Sequence, residues 1–269
     1  MHVAVVGHVE WIEFVRVDHV PVQGEIVHAA ETWCEAAGGG AVAAVQLARL
    51  AGSSMLFTAV GDDELGSKVA PELQRHGVTV HSSVRPEPQR RGFTFVDAAG
   101  ERTITVIGER LGPRRSDDLP WEQLAEADGV YFVSGDAAAL KAARAAKVLV
   151  ATARSLATLA EGRVELDALV RSRKDESELY RPGDLEPPPR VDVATAGAQG
   201  GTFTFAGGAP THFPPAAAQG SLQDTYGAGD SFAAALTYAL AEELPMDEAV
   251  ALAARSGAAA LNRRGAHGA

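Results

Sequence analysis

Short apolar runs rich in β-branched residues punctuate this chain at intervals. Residues 2–7 (HVAVVG) form the first and end in glycine, and similar runs recur at 55–60, 130–134, 148–152 and 191–195. Apolar at nearly every position rather than at alternate ones, they predict strands buried on both faces, as in a parallel sheet covered by helices. Alanine-rich stretches with helical spacing lie between them, at 41–50, 65–76 and 136–146. The alternation of strand and helix patterns predicts an α/β fold with a doubly wound, mostly parallel sheet.

Two segments break the alternation. Residues 11–33 and 91–107 read as extended and hairpin-like, with strands at 93–96 and 103–107 flanking a turn at Ala98-Ala99-Gly100-Glu101. We expect a small β-sheet lid, formed from about 11–36 and 90–108, on a single α/β unit spanning 1–269. A lid suits chemistry that must exclude water from a hydrolysable donor. Pro187-Pro188-Pro189 predicts a stiff connection before a late strand.

A formal net charge of -11 argues against binding DNA or RNA. The pairs Arg90-Arg91 and Arg114-Arg115 read as solvated loop charge. No apolar run reaches transmembrane length and no basic leader precedes an apolar stretch, so no membrane partner is expected and a cytoplasmic location is. Cys34 is the only cysteine, which excludes an intrachain disulfide; it reads as a small buried or interfacial residue. An anionic ligand must then be held by local devices: backbone amides, helix ends and a metal ion.

The segment Asp224-Thr225-Tyr226-Gly227-Ala228-Gly229-Asp230-Ser231-Phe232 offers such a device. Phe232, Ala235, Leu236, Ala239 and Leu240 have the spacing of one apolar helix face, which sets Gly227, Ala228 and Gly229 at a helix N-terminus. Small residues leave the N–H groups there uncovered, and the helix dipole adds partial positive charge, an arrangement suited to charge building on a phosphoryl group. Asp230 in the first turn can accept the proton of an attacking hydroxyl, or it can merely complement the dipole.

These residues resemble the Asp-Thr-x-Gly-Ala-Gly-Asp signature of the ribokinase-like (PfkB) carbohydrate kinases. The resemblance implies that Asp230 is the catalytic base and that the Gly227, Ala228 and Gly229 amides form the anion hole. It extends to Gly38-Gly39-Gly40, similar to the family's glycine pair bordering the substrate, and to Val60-Gly61-Asp62-Asp63-Glu64-Leu65-Gly66, where Asp62 and Asp63 read as turn and cap residues. Thr195, Gly197 and Gly200 match the family's nucleotide loop, and Asp224 and Thr225 are implied on the same side. Glu178, with Asp175 in place of the family's asparagine, is implied near hydrated magnesium. Potassium near Asp224 and Thr225 stays open, its further ligands falling around Arg264-Gly265-Ala266. No Gly-Lys-Ser/Thr phosphate loop is present.

The substrate positions depart from the family pattern. Ile12 falls where the family carries a sugar-binding aspartate, leaving Glu10 or Glu13 as the available carboxylate, with Glu10 chosen, and Ala43 replaces an asparagine that reaches the substrate. Trp11, Phe14 and Trp33 either face an aromatic ligand or pack the lid, while Arg91 and Arg102 either bind a sugar phosphate or are solvated. The expected activity is transfer of the ATP γ-phosphate, with Mg2+, to a hydroxyl of a sugar or sugar-like molecule. A nucleoside kinase and a non-catalytic binding relative are the alternatives. A homodimer through the lid is expected, because a small sheet exposes a face and edges.

Overall fold

The computed structural model describes residues 1–217 and 222–268. In chain order the first half comprises β1 (Val3–Val6), β2 (Glu10–Arg16), β3 (Glu31–Ala37), α1 (Gly38–Ala51), β4 (Ser54–Gly61), α2 (Glu64–Gln74), β5 (Val78–Arg85), β6 (Arg91–Val96) and β7 (Arg102–Ile107). The second half comprises β8 (Gly129–Phe132), α3 (Ala137–Ala143), β9 (Val148–Thr152), α4 (Leu156–Gly162), β10 (Ala168–Ser172), β11 (Val191–Thr195), β12 (Gly201–Phe205), β13 (Thr211–Phe213), α5 (Ala228–Ala241) and α6 (Met246–Ala260).

The large sheet runs β13-β12-β11-β10-β9-β8-β1-β4-β5. Every pair from β5 to β11 is parallel, and β12 and β13 add antiparallel strands at one edge. Successive side chains serve opposite layers: Val3 and Val5 join the core beneath α1, α5 and α6, whereas Ala4 and Val6 join the core with Leu140, Leu159 and Trp121. This double burial is why the strands read as continuous apolar runs. A separate four-stranded sheet has the order β3-β2-β6-β7, with β2 and β6 parallel and the outer pairs antiparallel.

Asp63 caps α2, its carboxylate accepting the Gly66 N–H at 2.8 Å. Three sequence-based expectations are corrected. The helix α5 is buried on most of its circumference rather than along one face, because it lies between α1, α6 and the sheet. Cys34 is exposed, since it sits on the strand face that alternates away from Glu35 and Trp33, which rules out the buried reading and leaves the interfacial one. Arg90 is largely enclosed and lies 2.6 Å from Glu10 Oε1, so it is no solvated loop charge.

Candidate active site

The site is built along the carboxyl ends of the parallel strands, where connections diverge and leave a crevice. Gly227 adopts φ 75° and caps α5, which opens with Ala228-Gly229-Asp230. The first N–H groups of a helix lack intrahelical partners. A Cβ built on Gly229 would meet nothing within 4 Å, and Gly227, Ala228 and Gly229 line a cavity, so the helix start borders open space.

Asp224 holds this turn in place. It is fully buried, and its carboxylate accepts the N–H of Tyr226 at 2.7 Å and of Gly265 at 3.2 Å. Both oxygens are thus committed to the backbone, and Asp224 serves the turn's shape rather than lining the cleft. The Tyr226 hydroxyl accepts the Gly38 N–H at 3.0 Å, which ties the signature segment to the glycine pair 188 positions earlier in the chain. Gly39 completes the junction: a Cβ there would lie 3.0 Å from Asp230 Oδ1 and 3.0 Å from Val133 Cγ1. Burial raises the Asp230 carboxyl above the usual carboxylate range, while Arg154 and Arg102 pull it back down.

Two cavities meet at the start of α5. One of about 650 Å³ is lined by Asp230, Gly227, Thr225, Arg154, Lys174 and Glu178, among others. The second, about 420 Å³, is walled by apolar groups including Phe213, Phe232, Ala258 and Leu261. They share Thr195, Gly197, Ala228 and Gly229, so a polar chamber opens directly into an apolar slot. Gly197 at φ 61° and Gly200 at φ 76° shape the loop between them. Gly200 also lets the chain after β13 pass, since its Cβ would collide with Phe213 and Pro214 backbone.

Arg154, which the sequence reading passed over, joins the carboxylates. Its Nε donates to Glu178 Oε1 at 2.6 Å and its Nη2 to Asp175 Oδ2 at 2.8 Å. The other oxygens are also engaged, Glu178 Oε2 by the Ser172 N–H and Asp175 Oδ1 by the Ser177 N–H and hydroxyl. Among the described residues no group of three or more His, Cys, Asp or Glu side chains is placed to hold a metal ion. Direct magnesium ligation by Glu178 or Asp175 would have to displace hydrogen bonds that already engage both oxygens of each carboxylate, and does not fit. They fit the outer role of accepting hydrogen bonds from water on an ion brought in with a nucleotide, since magnesium keeps several waters. Position alone could have flagged Arg154, because it follows the carboxyl end of the predicted strand 148–152.

Glu10 is buried beside Asp230, paired with Arg90 and 3.7 Å from His8 Nε2. Ile12 and Ala43 are fully enclosed. Ala43 belongs to the core beneath α1 and lines none of these cavities, which corrects its placement among substrate contacts. Phe14 and Trp33 stack at 5.0 Å and pack the small sheet onto Tyr226, so they are packing residues rather than a free stacking surface. Arg102 hydrogen-bonds the Thr225 carbonyl and lies over the Tyr226 ring at 5.7 Å, bringing the β6–β7 hairpin against the signature turn. Arg91 is exposed.

The nine-stranded sheet with helices on both faces and the separate four-stranded sheet place the protein in the doubly wound α/β class with a small second sheet. The description pfkB family carbohydrate kinase matches residues 1–269, and the chain belongs to that family. Ribokinase from Thermotoga maritima superposes with TM-score 0.77 at 22% identity, covering 99% of this chain and 95% of that one. Ribokinase from Arabidopsis thaliana, complexed with ribose and ATP, gives 0.74 at 20% identity over 98% and 93%. The nucleoside kinase of Methanocaldococcus jannaschii gives 0.73 at 16% over 99% and 94%.

Proposed function

We propose that this chain transfers the γ-phosphate of ATP, entering as its magnesium complex, to a hydroxyl of a sugar or sugar-like small molecule. The observation that carries the reading is Asp230, set between the uncovered amides of α5 and the glycine pair at Gly38 and Gly39. The apolar slot suits a nucleobase, and the polar chamber with Lys174, Arg154 and Arg102 suits the phosphates. Family membership and the nucleotide named with the Arabidopsis neighbour support ATP as donor.

In the transfer, Asp230 accepts the acceptor's hydroxyl proton as the new O–P bond forms. The bond from the γ-phosphorus to the bridging oxygen breaks, leaving ADP, and the proton passes from Asp230 to solvent. The N–H groups at Gly227, Ala228 and Gly229 stabilise charge on the phosphoryl oxygens. Magnesium, when bound with the nucleotide, would supply charge neutralisation on the phosphates, and Glu178 and Asp175 would hold its waters. Potassium at Asp224 would have to share a carboxylate already held by two amides. The small sheet acts as a lid excluding water, and pairs with its copy in a homodimer; the compartment we assign is the cytoplasm. Burial of Phe14, with the half-buried Trp33 stacked on it, weighs against a nucleoside acceptor stacked on them.

Asp230→Asn tests this reading. It should fold, keep nucleotide binding by calorimetry and lose roughly 10² to 10⁴ in turnover in a coupled ADP-release assay. Full activity in the variant would remove Asp230 from the mechanism.

A further inference from the structure

Guanidinium groups gather beside the chamber that holds Asp230, since Arg154 lines both that chamber and a neighbouring cavity lined by Arg110. Arg110, Arg90 and Arg154 all lie near enough to buried His8 to oppose its protonation, and burial with these charges holds its pKa down at about 3. Arg90 is matched by Glu10, and Arg154 by Glu178 and Asp175. Arg110 has no hydrogen bond or ion pair among the described residues. It stands with Arg154 and Ser134 in the wall of a cavity of about 580 Å³, and the Ser134 hydroxyl lies 3.1 Å from His8 Nδ1.

The acidic groups of this cavity leave Arg110 unmatched. Glu87 and Glu109 are exposed, and Asp136 caps α3 by accepting the Ala139 N–H at 2.7 Å. Meanwhile the aspartate and asparagine that the family pattern sets against sugar hydroxyls are replaced by Ile12 and Ala43, both apolar and fully enclosed. A neutral sugar entering here would gain little from Arg110, whereas an anion would meet a guanidinium with no hydrogen-bond or ion-pair partner of its own among the described residues. Arginine favours carboxylate and phosphate because its planar fork can donate two parallel hydrogen bonds.

We infer that the acceptor is an acidic sugar-like compound, with its hydroxyl against Asp230 and its carboxylate or phosphate held by Arg110 and Arg154. This rests on the kinase reading above and names its substrate class. Binding an anion also relieves the mutual repulsion of Arg110, Arg90 and Arg154, a gain a neutral sugar cannot provide.

The test measures calorimetric affinity and Mg-ATP-dependent turnover for gluconate, glucose 6-phosphate and glucose, in the wild type, Arg110→Ala and Arg110→Glu. Arg110 is exposed, so both variants should fold, and a melting curve verifies it. We expect at least one anion to bind the wild type more tightly than glucose, with preference decreasing as salt rises. That preference should fall by roughly 10- to 100-fold in Arg110→Ala, the loss of one or two charge-assisted contacts, and further in Arg110→Glu. Whichever anion responds distinguishes carboxylate from phosphate. Arg110-dependent anion binding without phosphoryl transfer would uphold the anion site and sink the kinase reading. Glucose binding as well as both anions, or an anion preference unchanged in the variants, would overturn the inference even if the protein proved an active kinase.

Discussion

Arg154 illustrates how one residue sets the chemistry of its neighbours. Its guanidinium joins two carboxylates and lines both the nucleotide chamber and the cavity with Arg110. It also pulls the Asp230 carboxyl down against the upward push of burial, while Glu178 pushes it up. In Arg154→Gln the cation is lost and Glu178 is uncovered, and both changes raise the Asp230 pKa. The base is active as carboxylate, so the acid limb of kcat against pH should move to higher pH in the variant. A limb that stays in place would show that Asp230 does not feel this guanidinium. Asp230 was legible in the sequence because its partners are adjacent in the chain; Arg154, His8 and Arg110 were not, because they come from three separate connections that only the sheet brings together.

At the scale of the element, the N-terminus of α5 is both a joint and a binding surface, and its glycines do different work. Gly227 has a left-handed conformation, and a Cβ there would lie 2.8 Å from Val42 Cγ1 on α1. Gly227→Ala should therefore lower stability by about 1–2 kcal/mol for the backbone conformation alone, with the α1 clash added. Gly229 faces open space, so Gly229→Ala should leave the melting temperature near that of the wild type while crowding the amides and lowering kcat. Parallel loss of stability in the two variants would contradict this division. The sequence announced the helix start but not this difference, since the contact with Val42 depends on how α1 packs on α5.

For the whole molecule, the lid raises the matter of assembly. All six residues of β7 are exposed, and Ile104, Val106 and Ile107 keep 38%, 45% and 44% of their surface. An unpaired edge strand with exposed apolar side chains is a surface that pairing would cover. Light scattering should give twice the mass of one chain, and Val106→Asp should shift it toward the monomer. A wild-type monomer at micromolar concentration would end the proposal of a lid-mediated dimer.

Strand 148–152 and strand 191–195 were read from the sequence at the bounds they hold in the fold, because burial on both faces leaves an unbroken apolar run. The antiparallel edge strands β12 and β13 escaped notice: β12 alternates apolar with polar residues, and β13 is only three residues long. The sequence by itself determined the layered α/β design, the segments of the small sheet and the signature turn with Asp230 at the helix start, since each is encoded by residues close together in the chain. Only the tertiary structure decided that Asp224 braces the turn, that Ile12 and Ala43 vanish into packing, and that Arg110 makes no hydrogen bond or ion pair among the described residues. Those are properties of distance and burial between remote segments, and no local pattern of residues records them.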